Sequence, residues 1–309
     1  MTDFGYLLPT RDHAVRDDHE VAPLVRQARL AETLGFDSVW AGDSPVAGPR
    51  ADPLMLLAAA AATTDRVTLG TAVLLPALRH PVMLAHQLAT VDRIAEGRLV
   101  VGMGAGFPRP NTEAQFAAVQ VGFRDRVSRM TESIEAMRLL WTLSGVSFQG
   151  RHFRFDDVTL VPRPVRSAGP PIWLAGSGEA ALRRVSQLAD GWLPYPPKWQ
   201  TYAQELATIQ GPTTPALYAT VCLDEDPERA RKRLRAYIEP YYGAPLEVVE
   251  TIQAMFAGSA RETVEWLGEY VKAGARHIVV RLAAEDHVAA LEQFADTVLP
   301  TLRNEKLEA

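Results

Sequence analysis

The chain of 309 residues is 47% hydrophobic and 22% charged, with a formal net charge of −5. This is the composition of a folded globular protein, long enough for two small domains or one large α/β barrel. The mild acidic excess and the absence of a basic block argue against a nucleic-acid partner. The single cysteine, Cys222, lies in the apolar run "ALYATVCL". It reads as a buried thiol and leaves no internal disulfide or Cys-cluster metal site. The opening "MTDFGYLLPTRD" lacks the basic start and apolar core of a signal peptide. "DPLMLLAAAAATTD" falls short of the ~18 apolar residues of a membrane span and is flanked by Asp52 and Asp65. The expectation is a cytoplasmic protein with no membrane partner.

Short apolar runs alternate with helical patterns along the chain. Strands are predicted at Phe4–Leu8, Asp37–Gly42, Arg66–Leu75 and Gly97–Gly106. The helices between them are Val21–Leu34, closed by Gly35, then Pro53 to about Thr63 behind a candidate Asp52 cap, and Pro81–Ala95. Next come a helix over Val127–Trp141, a hairpin in "GVSFQGRHFRF" turning at Gln149–Gly150, and "VTLVPRPV", kept extended by Pro162 and Pro164. Further strands are predicted at Ile172–Ala175, "DGWLP", "ALYATVCL" and "ARHIVVRL". Their helices begin at Gly178, Lys198, Pro227 (ending at Tyr237) and Asp286. Eight strands, each a continuous apolar run followed by helix, predict a closed (β/α)8 barrel with a parallel sheet buried on both faces. An open doubly wound sheet is the rival, and it lacks G-x-G-x-x-G after the first strand. No domain boundary is visible. The expectation is one domain over residues 1–309, with an insertion at about 104–170 after the fourth strand.

In such a barrel the chemistry sits at the carboxyl ends of the strands. Residues there include Arg11 to His13, Asp43–Ser44, Ala72 to His80, Gly104–Ala105–Gly106, Gly176–Ser177–Gly178, Tyr195 and Arg281. In "PPIWLAGSGEAALRRVSQLADGW" a strand ends at two glycines and opens a helix. That pattern suits a phosphate, with backbone N–H groups and the Ser177 hydroxyl as donors, or else a plain βα turn. Asp43 orients a ring, pairs with an arginine or caps a loop. The small residues at 104–106 allow a flat ring to lie on the backbone. No histidine pair has ligand spacing and no acid cluster accompanies one, so no metal is expected. No G-x-S-x-G elbow marks a hydrolase.

Five segments in order resemble the bacterial luciferase-like oxidoreductases: "ARLAETLGFDSVWAGDS", "TTDRVTLGTAVLLPALRHPVMLAHQLATVDRIAEGRLVVGMGAG", "RMTESIEAMRLLW" with "FQGRHFRFDDVTLVPRP", the Pro170–Trp192 stretch, and "GARHIVVRL" with "LEQFADTVLPTLR". The resemblance spans nearly the whole chain. It implies a barrel that binds reduced FMN or the deazaflavin coenzyme F420, with the cofactor phosphate at Gly176, Ser177 and Gly178. It further implies cofactor contacts at Asp43, Ser44, Ala72, Val73, Gly104 and Ala105, and a non-proline cis peptide at Ala72–Val73 behind the ring. His13, His80 and Tyr195 are the candidates for the substrate side, and no catalytic acid or base is assigned. Three departures bear on chemistry. Ser44 stands where deazaflavin members often carry histidine. Phe107 stands near where the sugar-phosphate dehydrogenases carry glutamate. Ala105 stands where luciferase proper carries arginine, a lean toward F420. The family further implies a homodimer, a small-molecule substrate and, with FMN, a separate flavin reductase. A ligand-free, non-catalytic barrel, plugged by residues such as Phe107 or Trp173, is the alternative.

Overall fold

The structure is a computed structural model and describes residues 2–304. Eight parallel strands close a barrel: β1 (Asp3–Leu7), β2 (Ser38–Ala41), β3 (Thr68–Thr71), β4 (Leu99–Met103), β7 (Ile172–Leu174), β8 (Gly191–Trp192), β9 (Thr214–Leu223) and β11 (His277–Leu282). Closure comes from the pairing of β8 with β9 and of β11 with β1. An antiparallel hairpin, β5 (Val146–Gln149) and β6 (Arg154–Val158), stands apart, and β10 (Met255–Gly258) pairs with the outer half of β9. The expected (β/α)8 barrel is therefore the fold. The helices are α1 (Thr10–Val15), α2 (Ala22–Thr33), α3 (Pro53–Ala61), α4 (Pro81–Ile94), α5 (Pro110–Ala118), α6 (Arg126–Thr142) and α7 (Glu179–Leu188). They continue with α8 (Trp199–Leu206), α9 (Pro227–Tyr242), α10 (Leu246–Val249), α11 (Ala260–Lys272), α12 (His287–Thr297) and α13 (Leu299–Asn304). Among the described residues no helix is long and apolar enough to cross a membrane.

Four details differ from the sequence reading. The short helices α1 and α5 lie where the sequence predicts no helix. The hairpin turns one step later, with Gly150 N–H donating to the Phe153 carbonyl. Helix α9 runs through Pro240 to Tyr242 and stops at Gly243 in the left-handed region (φ 62°). A proline in the last turn removes only one donor, so the helix need not end before it. Finally, β10 lies in a segment too poor in alternation to announce a strand.

The bore of the barrel is solid. Trp40 and Trp173 meet there with ring centroids 5.2 Å apart, and both pack edge-on against the His277 ring. Glycines make the room: a Cβ at Gly5 would lie 2.5 Å from Trp40 Nε1, and Cβ atoms at Gly70 and Gly191 would overlap the indoles of Trp40 and Trp173. Trp40 Nε1 donates to Ser38 Oγ (2.7 Å), which also lies 2.7 Å from His277 Nε2. With Leu7, Val100, Leu193, Ala216 and Val279, the two indoles form a floor on which Ala72, Val73 and Tyr218 rest. Cys222 is buried as expected, and burial pushes its thiol up to about 11.

Candidate functional site

Strand β3 stops at Thr71, and contact with β4 resumes three residues on, where Leu74 bridges Met103. Between them lies the Ala72–Val73 peptide, which is cis, as the resemblance implied. The interruption is tied down on both sides. Leu74 N–H donates to the Gly102 carbonyl (2.7 Å), Gly104 N–H to the Leu74 carbonyl (2.9 Å), and Thr71 Oγ1 to Gly102 (2.7 Å). A Cβ at Gly104 would lie 2.7 Å from Val73 Cγ2. So Val73 is pressed into the mouth across the gap that Gly104 leaves.

Asp43, at the end of β2, accepts from Leu75 N–H (3.0 Å) and from Arg79 Nη1 (2.5 Å) and Nη2 (3.2 Å). Of its alternative roles, the arginine pair and the loop cap are both formed, and together they order the loop that carries Val73. Ser44 donates to Gln115 Oε1 (3.0 Å), which also accepts the N–H groups of Val46 and Ala47. Its hydroxyl clamps the β2 loop to α5. His80 Nδ1 accepts from Val82 N–H at the start of α4, and its ring packs edge-on against Phe153 of the hairpin. His13 stacks on His287 and its Nδ1 lies 2.8 Å from Asp18 Oδ2. It lines a side cavity of about 250 Å³ with Thr10, Asp18, His19 and Arg50. Tyr195 does reach the mouth, edge-on to Tyr218, and burial, then neighbouring Tyr242, raises its phenol above the usual value.

At the end of β7, Gly176 (φ 119°) and Gly178 (φ 82°) take backbone shapes that other residues avoid, and space around Gly178 is open. Ala105, Gly104 and this turn share one side of the mouth through the neighbouring strands β4 and β7. One feature was not foreseen. Gly178 N–H donates to Glu205 Oε1 of α8 (2.9 Å), so the protein's own carboxylate sits at the turn. Its other oxygen is buried without a partner.

The aromatics of "EPYYGAPLEVVETIQAMFAG", which the sequence alone allows either over the pocket or on the outside of the barrel, supply a roof. The end of α9 lies across the mouth, touching the loops of β1, β4 and β11. Arg281 is buried and donates to Thr220 Oγ1 (3.0 and 2.7 Å) and to Tyr242 OH (2.8 Å). Tyr242 OH donates in turn to Gln253 (2.9 Å), and its carbonyl accepts from Arg109 (3.0 Å). Arg11 and Arg281 stack on Tyr241 at 4.4 and 4.5 Å. Burial pushes the Tyr241 phenol up, but Arg50, Arg281 and Arg11 together bring it below the ordinary tyrosine value.

These residues fit a flat ring bearing a phosphate. A hydrophobic bulge and a glycine face one surface of the mouth, and an open glycine turn at a helix start offers N–H groups to an anion. Among the described residues no group of three or more His, Cys, Asp or Glu is placed to hold a metal. A barrel with this rim belongs to the cofactor-dependent redox class.

A family model described as luciferase-like monooxygenase matches residues 2–277. The chain is 30% identical to the F420-dependent glucose-6-phosphate dehydrogenase of Intrasporangium calvum, covering 91% of this chain and 94% of that one. It is also 30% identical to the protein of that name from Beutenbergia cavernae, covering 98% of each. Among solved structures, the monooxygenase RslO1 from Streptomyces bottropensis superposes with a TM-score of 0.81 at 26% identity, covering 97% of this chain and 99% of that one. An F420-dependent secondary alcohol dehydrogenase shares the fold at a TM-score of 0.77 and 21% identity, covering 98% and 99%. The chain belongs to the luciferase-like monooxygenase family, and it is an oxidoreductase of that family.

Proposed function

We propose that this protein is a luciferase-like oxidoreductase that holds coenzyme F420, or reduced FMN, across the barrel mouth and acts there on a small organic substrate. The observation that carries the reading is the pairing of the Ala72–Val73 bulge with Gly104 on one side of the mouth and the open Gly176–Gly178 turn beside it. When bound, F420 supplies hydride transfer to or from the substrate, whereas FMN supplies oxygenation with O₂. Val73 supports the ring and Asp43, through Leu75 and Arg79, fixes the loop beneath it. The turn at Ser177 takes the phosphate, and the roof of Tyr241 and Tyr242 excludes water from the pocket. Two dehydrogenase relatives whose names include F420, and Ala105 in place of arginine, favour hydride transfer. Glucose 6-phosphate itself is disfavoured because Phe107 stands where the sugar-phosphate enzymes place an acid. The non-catalytic alternative has less support, because Trp173 lies in the floor and Phe107 is 45% exposed, so neither plugs the mouth. A homodimer, a cytoplasmic location and, with FMN, a partner reductase complete the proposal.

The test is a binding titration of the apo-protein with F420 and, anaerobically, with reduced FMN, repeated with Ser177→Asp. Saturable binding of one cofactor and its loss in the variant by charge repulsion are expected. Binding of neither would sink the proposal, and unchanged affinity in the variant would remove the phosphate assignment.

A further inference from the structure

We propose that Arg11 and Arg50 form a recognition site for an oxyanion, a carboxylate or phosphate group, carried by the substrate. This rests on the reading above in taking the barrel mouth as the active site.

A guanidinium carries five N–H donors and stays charged. Most arginines near this mouth have acceptors. Arg79 has Asp43 and Asp52, Arg281 has Thr220 and Tyr242 OH, and Arg109 has the Tyr242 carbonyl. Arg11 and Arg50 differ. Among the described residues neither forms a hydrogen bond or ion pair with a side chain or carbonyl, and the Nε of each is buried without a partner. A buried donor left unmatched is costly, and a charged one more so.

Both are nevertheless seated with care. The Arg11 guanidinium lies on the Tyr241 ring at 4.4 Å and against Gly48, where a Cβ would come within 2.8 Å of its Nε. The Arg50 guanidinium lies against Gly42, where a Cβ would overlap its Nη1. Two glycines thus clear ground for two cations that the protein itself does not satisfy. Local charge points the same way. Arg50 and Arg281 both act on Arg11, and Asp12, whose carboxyl is raised by burial, feels Arg281 and Arg50. An oxyanion across the two forks would supply the missing acceptors and charge.

The position separates this site from the cofactor phosphate. Around the barrel the order is β1-β2-β3-β4-β7-β8-β9-β11. The loops after β1 and β2 carry Arg11 and Arg50. The Gly176–Gly178 turn follows β7, four strands from β1 and so on the opposite rim. A ring anchored at β7 leaves the arginine side to the substrate.

The test uses the full-length chain with benzoate and inorganic phosphate as probes and benzamide as the neutral control, followed by calorimetry. The wild type should prefer benzoate over benzamide. Arg11→Met and Arg50→Met should each lose about tenfold or more of the benzoate affinity, while Ser177→Asp keeps it. Arginine modification by phenylglyoxal, mapped by mass spectrometry on the wild type, should show Arg11 and Arg50 shielded by benzoate, which needs no variant to fold. No preference for the anion, no shielding, or loss in Ser177→Asp alone would overturn the inference. F420 and reduced FMN are titrated alongside. If their affinity also falls in the arginine variants, the oxyanion belongs to the cofactor and the substrate assignment fails. If the wild type binds neither cofactor but keeps its benzoate site, the cofactor reading fails and the anion site stands.

Discussion

At the Gly176–Gly178 turn the decisive residue is Glu205, which no local motif announces. It comes from α8, 27 positions beyond Gly178, in an amphipathic helix where an acid reads as ordinary solvent surface. Its carboxylate sits where a phosphate would compete for the same N–H groups, and two anions at one helix start repel. Glu205→Gln keeps an oxygen that accepts from Gly178 N–H and removes the charge. It should tighten F420 or FMN binding about tenfold, read by the same titration. An unchanged affinity would mean that Glu205 stays clear of the bound phosphate. The contrast with the glycines is instructive. Gly104, Gly176 and Gly178 stood out in the sequence because strand, glycine and helix follow one another locally. Arg50 did not, because its importance lies in having no partner, a property of three-dimensional packing. The link from Ser44 to Gln115 was hidden for the same reason, since it joins residues 71 positions apart.

Among the elements, the barrel strands were legible, whereas the tyrosines of the roof read equally as a cover over the pocket or as packing on the outside of the barrel. Strands buried on both faces carry unbroken apolar runs, whereas α9's last turn looks like a loop because Pro240 and Gly243 bracket its tyrosines. The short strand β10 draws its stability from pairing with β9, not from its own pattern. The roof depends on one hydroxyl, since Tyr242 OH takes Arg281 Nη1 at 2.8 Å and gives its proton to Gln253 at 2.9 Å. Tyr242→Phe leaves a buried guanidinium N–H and an amide oxygen unmatched, at a cost of about 1–3 kcal/mol. Thermal unfolding should therefore begin a few degrees lower. Hydrogen exchange should rise first in α9 and the loop to β10. Loss of stability without faster exchange there would show that the roof is held by its ring packing instead.

The whole molecule closes where the loop after β11 and the start of α12 meet the loop after β1. Arg16, at the end of α1, donates to the carbonyls of Glu285 and Ala284, and the His287 ring packs between His13 and Tyr237. That closure joins residues some 270 positions apart, so no window of sequence displays it. His287 is buried, both ring nitrogens lack partners, and burial, then Arg16 and His13, lowers its pKa to about 3. In the unfolded chain a histidine titrates near its ordinary value of ~6.5. The folded form thus binds fewer protons than the unfolded form between these two values. Stability from this group is complete above about pH 6.5 and falls as the pH drops toward 3, at ~1.4 kcal/mol per pH unit, or about 2 kcal/mol by pH 5. His287→Phe keeps a ring of similar shape and removes the titration. Denaturant unfolding of the two proteins should show parallel stability at pH 7 to 8 and a steeper decline of the wild type below pH 6.5. Equal slopes would mean that His287 takes up its proton in the folded state, with the α1–α12 contact opening to admit water.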